Sequence, residues 1–128
     1  AFDLSNVPPM PGVSAQERCS AIFSDILEGG CKYPNISRAH FHSLLVDGQP
    51  DARLQTYITR FLNEQANDLL SRGLMLSLEE TKLALMQIFS TVMVATLAPD
   101  LVEYSGFSLH TPGERQAYVD RLTHKLLK

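Results

Sequence analysis

Hydrophobic positions along this chain recur at helical spacing in five stretches, and no stretch shows the strict alternation of a half-buried strand. In the first, Ala15, Cys19, Ile22, Phe23, Ile26 and Leu27 fall on one face behind Ser14-Ala15-Gln16-Glu17, whose hydroxyl and carboxylate suit a capping box. The pattern predicts a helix to Glu28, stopped by Gly29-Gly30. Cys31 to Asn35 reads as a loop. A short second helix is expected over about residues 37–46, capped by Asn35 or Ser37, with Phe41, Leu44 and Leu45 inward and Gly48 past its end. Pro50 and Asp51 open a third helix that reaches Arg72. There Leu54, Tyr57, Ile58, Phe61, Leu62 and Leu69 form one stripe opposite Gln55, Arg60, Glu64 and Asn67. Arg72 stands where the helix dipole favours a cation, and Gly73 takes the position just past the end.

The fourth stretch differs. Ser77-Leu78-Glu79-Glu80 is a second capping box, and no ionisable residue occurs from Leu83 to Ala98. Apolar side chains cover most of the circumference and leave a thin polar line through Glu80, Gln87, Ser90 and Thr91. A helix of this kind sits inside a bundle or crosses a membrane. Its 16 charge-free residues include Gln, Ser and Thr and fall short of the ~20 apolar residues a span needs, so a central core helix is predicted. Pro99 ends it, and Asp100 to His110 reads as an irregular connection. Thr111-Pro112-Gly113-Glu114 is a third capping box with proline at the first helical position, and the last helix follows through Tyr118, Val119, Leu122 and Leu126. Ahead of all this, Pro8, Pro9 and Pro11 make residues 1–13 an extended arm. The expected fold is all-α: a single-domain bundle of about five helices over 14–128, with the nearly all-apolar fourth helix at its centre.

Composition narrows the class of molecule. With 128 residues, 45% of them apolar and 20% charged, the chain can bury roughly two-thirds of its surface. It is neither a disordered tail nor a disulfide-dense miniprotein. A net charge of -3, scattered basic residues and no tryptophan argue against nucleic acid as a partner.

The cysteines bear on compartment. If the first helix stops at Glu28 it climbs ~13 Å beyond Cys19, and three residues turned back by the double glycine return at most ~10 Å, which makes a Cys19–Cys31 disulfide at ~5.5 Å between Cα atoms feasible but demanding. The alternative is two free thiols in a reducing compartment. Together with a chain that starts at Ala1, the disulfide points to a periplasmic or secreted protein, with a cytoplasmic one left open. Asn35-Ile36-Ser37 fits the glycosylation acceptor pattern, which matters only in a eukaryotic secretory pathway.

Catalytic motifs are not visible. His40 and His42 stand ~200° apart on a helix, whereas helical metal pairs need a spacing of three or four. No metal or cofactor is expected. Asp120 and His124, one turn apart, read as a surface ion pair. Glu79-Glu80 and the Asp47, Asp51 pair read as cap and turn chemistry. A thiol- or metal-dependent protein using Cys31, with Lys32 beside it, and His40 or His42 is kept as one alternative.

Two segments hold apolar groups without a helical reason: the arm, with Phe2, Leu4, Val7 and Met10, and the connection after Pro99. Either they seal the ends of the bundle or they present a binding surface. On the second view Asp100, Glu103, Tyr104, Phe107 and Leu109 form a partner-binding site. The leading expectation is therefore a small exported helical protein, not an enzyme, that docks on another protein as an inhibitor, immunity factor, adaptor or assembly chaperone does. An arm that crosses to a neighbour would make a homodimer. A carrier of an apolar small molecule or lipid between helices, motivated by Met75, Met86 and Met93, is the other alternative.

Overall fold

The computed structural model describes residues 10–49 and 52–127. The arm up to Pro9, and with it Phe2, Leu4 and Val7, lies outside the described residues, as do Pro50, Asp51 and Lys128. Six helices, and no strand among the described residues, make up the chain: α1 (Ala15–Lys32), α2 (Pro34–Asp47), α3 (Ala52–Ser71), α4 (Leu78–Leu97), α5 (Pro99–Tyr104) and α6 (Pro112–Leu126). The all-helical bundle is as the periodicity predicts.

Starts of helices follow the expected chemistry. The hydroxyls of Ser14, Ser77 and Thr111 accept from the backbone N–H groups of Glu17, Glu80 and Glu114. At Thr111 the Glu114 carboxylate returns a bond to the cap's own N–H, completing the box. The end of α3 is a Schellman turn. Gly73, at φ +93°, donates to the Leu70 carbonyl and Leu74 donates to that of Leu69. Arg72 does more than answer the dipole: its guanidinium donates to the Met10 and Val13 carbonyls at 2.5 and 3.1 Å and pins the chain entering α1 to the end of α3.

Gly29-Gly30 does not stop the first helix. It continues to Lys32 and ends at Tyr33, because the residue before Pro34 is pushed out of the α region, here to φ −128°, ψ 65°. Pro34 then starts α2 three residues ahead of the expected boundary. The same device recurs at Ala98-Pro99, with Ala98 at φ −144°, ψ 70°. Pro99 both ends α4 and begins α5, a single short helix where an irregular connection was expected.

This correction removes the disulfide. Cys19 and Cys31 share one helix, twelve residues apart, which at 1.5 Å per residue separates them by ~18 Å. Both are free thiols. The structural motive for an exported protein falls with the bond.

Gly30 is needed for another reason. A Cβ built on it would fall inside the Thr96 side chain, so the glycine lets α1 cross close to the end of α4. That contact places the C-termini of α1 and α4 together, and α3 returns antiparallel to α4 through a tight loop. Contacts from Gln16 to Leu127, Ser20 to Asp120 and Glu28 to Arg115 lay α6 antiparallel along the whole of α1. α4 packs against all five other helices. Its inward residues Leu85, Ile88, Phe89 and Val92 meet an aromatic chain that runs through four elements. Phe23 of α1 stands edge-on to Phe61 of α3 with centroids 5.7 Å apart, Phe61 is 6.4 Å from Phe89 of α4, and Phe89 is 6.2 Å from Phe41 of α2. Edge-to-face packing adds to the area these rings bury.

Candidate docking face and polar cleft

α4 is central but not enclosed. Leu83 is 61% exposed, Val94 42%, and Met86 is exposed with them. At ~100° per residue, Leu83, Met86, Ser90 and Val94 fall within one quarter of the circumference, opposite the buried face, while Leu97 at the helix end packs against the core. The stripe continues onto α5, which folds back along α4. Val94, Leu101, Ser90 and Ser105 line one shallow groove of about 360 Å³, closed on the far side by Tyr118. Burial raises the pKa of the Tyr118 phenol above its ordinary value. Leu101 is 55% exposed and Tyr104 83%. Two hydroxyls beside the stripe are satisfied without solvent: Ser90 and Thr91 donate to the carbonyls of Met86 and Gln87 at 2.8 and 2.9 Å.

The connection residues divide. Asp100, Leu101 and Tyr104 lie outward on α5. Glu103 is half-buried, with His110 Nε2 2.5 Å from its carboxylate. Leu109 is buried at 5% exposure and belongs to the core. Phe107 turns inward, its ring 5.5 Å from that of Tyr118, under the Arg121 guanidinium at 5.1 Å. Phe107 and Leu109 therefore seal the end of the bundle, while Asp100 and Tyr104 remain on its surface. Leu83 and Val94 were not singled out from sequence, and Met86 only as part of an apolar-ligand site between helices. Their helix is apolar on every side, and periodicity alone does not tell which quarter the other helices leave open.

A second concavity, of about 480 Å³, lies between the start of α1 and the end of α6. Glu17, Ser20, Asp120, Thr123 and His124 are among its lining residues. The Ser20 hydroxyl donates to the Asp120 carboxylate, and the Gln116 amide donates to the same oxygen at 2.9 Å. Asp120 is thus engaged by Ser20 and Gln116, and His124 lines the same cleft. Below it, the Cys19 thiol is pushed up to about 12 by burial, against a smaller lowering from the Thr123 hydroxyl.

At the other end of α1 the Arg115 guanidinium forks onto the Glu28 carboxylate at 2.6 and 2.7 Å and donates to the Leu109 carbonyl at 2.9 Å. The Arg115 bond holds Glu28 below the usual carboxylate value. Cys31 stands near this pair, and burial raises its pKa although Arg115 opposes the shift. Lys32, expected to activate that thiol, lies over the Tyr33 ring instead. His42 is exposed on α2, and the His40 side chain lies outside the described residues. Among the described residues no three His, Cys, Asp or Glu side chains gather as metal ligands, and no helix is long and apolar enough to cross a membrane.

No protein-family model, curated protein or solved structure matches the chain, so its function is read from its own residues and their arrangement.

Proposed function

We propose that this protein is a helical binding protein, not an enzyme, that docks on another protein chain through the open face of α4 and its continuation on α5. One observation carries this reading: Leu83, Met86, Val94 and Leu101 form an exposed apolar stripe on α5 and the uncharged part of α4, where the Ser90 and Thr91 hydroxyls bond to their own backbone. Contiguous exposed apolar surface of this kind marks interaction sites, and Tyr104 at its edge is a residue type enriched in them. The methionines divide, with Met75 and Met86 exposed and Met93 packed against the core. That arrangement favours a surface role over a ligand held between helices.

A photoreactive phenylalanine analogue at Val94, compared with one at exposed Gln55 on α3, tests the reading in cells. Irradiation is expected to yield a discrete protein adduct from position 94 and none from position 55. Identical patterns at the two positions, or no adduct at 94, would overturn it.

A further inference from the structure

We infer that α6 is a strap that opens and closes on the rest of the fold as a unit, while α1, α3 and α4 stay packed. The motive lies in what α6 sits on. Along α1, Gln16, Ser20, Ser24 and Glu28 follow at four-residue spacing and form a polar row beside the apolar stripe. Three of the four reach the last helix. Gln16 donates to the Leu127 carbonyl at 3.1 Å, and Ser20 donates to Asp120 and accepts from Gln116. Glu28 takes the Arg115 fork. This side of α1 would be at ease in water with α6 away. The fourth, Ser24, has its Oγ buried without a partner. Thr123 Oγ1 on α6 is buried with no oxygen or nitrogen partner and only the Cys19 thiol beside it. Hydroxyls that give up water without gaining a full bond disfavour the closed seam.

Apolar anchoring of α6 is correspondingly thin. Val119 is its one buried apolar side chain, with Leu127 just past its end, whereas α1, α3 and α4 each bury four or more. The chain of phenylalanine rings runs through α1, α3, α4 and α2 and does not extend to α6. Elements held this way open ahead of the rest of a fold. A hinge is at hand, because His110 is exposed between core-bound Leu109 and the Thr111 cap. Thr111 and Glu114 cap α6 within the moving piece. Once released, a helix of 15 residues is marginal in water, so its amides exchange while the strap is open. The motion also changes the surface. Tyr118 closes one side of the groove along Val94 and Leu101 and leaves with α6, so opening widens that groove. The inference stands whatever the α4 face binds.

Hydrogen exchange of the purified full chain, followed by mass spectrometry at a series of low denaturant concentrations, tests the strap. Relative to their intrinsic rates, α6 amides are expected to exchange about a hundredfold faster than the slowest amides of α3 and α4. Their rates should also depend less on denaturant, because opening α6 exposes less surface than global unfolding does. Phe61→Leu weakens the ring chain that joins α3 to α1 and α4, which holds whether the strap is open or closed. It should speed the α3 and α4 amides about tenfold and leave those of α6 unchanged. Thr123→Val keeps the shape and removes the hydroxyl, and should slow α6 exchange about threefold or more. Equal protection and equal denaturant dependence in α6, α3 and α4 would mean that the chain opens as one, and would overturn the strap. So would α6 amides that Phe61→Leu speeds as much as those of α3. Faster α6 exchange in Thr123→Val would show the seam hydroxyl to be satisfied and overturn the polar seam as the cause of opening.

Discussion

A methyl group added at Gly29 would meet open space, whereas one added at Gly30 would collide with the Thr96 side chain. Both glycines lie inside α1, so both pay the entropic cost of glycine in a helix. Gly29→Ala is expected to stabilise the protein by about 0.5–1 kcal/mol. Gly30→Ala gains the same helix propensity but overpacks the α1–α4 crossing, and should destabilise by about 1–3 kcal/mol. Urea unfolding of the two variants measures both; a stabilised Gly30→Ala would mean that the crossing is not tight. In the sequence the two residues look alike, and together they read as a helix stop. What separates them is a residue 66 positions further along the chain, which local pattern does not reveal.

At the scale of elements, proline outranks glycine in setting the boundaries. Tyr33-Pro34 and Ala98-Pro99 each end one helix and begin the next within a single residue. The capping hydroxyls of Ser14, Ser77 and Thr111 were legible because a cap is a local event, completed within three residues. The continuation of α1 was not, and it decides the state of the cysteines. With both thiols on one helix, the intact mass of denatured protein is expected to match two free thiols even after exposure to oxidant. A thiol reagent at neutral pH should modify Cys31 slowly in the native protein, since burial raises its pKa. Cys19, buried and pushed up to about 12, should react only on unfolding. Rapid labelling of both, or a mass lighter by two hydrogens, would contradict a single uninterrupted α1.

Across the whole molecule the first and last long helices are tied at both ends, and the Glu28–Arg115 pair is the tie closest to the connection between α4 and α6. The folded-state pKa of Glu28 lies below its ordinary value of 4.5, first through the Arg115 hydrogen bond. A depressed carboxylate contributes stability that is present above the ordinary value and is lost as the pH falls through the folded-state value. Glu28 is partly exposed, so solvent screens the pair and the contribution is under about 1 kcal/mol. Glu28→Gln should therefore be less stable than the parent at neutral pH, and the two should converge as the pH drops below 4.5. Denaturant midpoints measured at pH 7 and pH 3 check this; a gap that widens in acid would contradict the sign.

The apolar period of 3.6, the three hydroxyl caps, Gly73 past the end of α3 and the prolines that break helices were enough by themselves to determine an all-helical bundle with α4 at its centre. Each depends on residues within one or two turns of one another, and short-range sterics and hydrogen bonding act there whatever the rest of the chain does. Tertiary structure alone decided that Gly30 receives Thr96, that Phe107 and Leu109 turn inward while Tyr104 stays out, and that one quarter of α4 is left uncovered. These outcomes depend on which surfaces remain after six helices have shared a single core. The periodicity of one helix records how much of its surface is apolar, but not how much of that surface its neighbours cover.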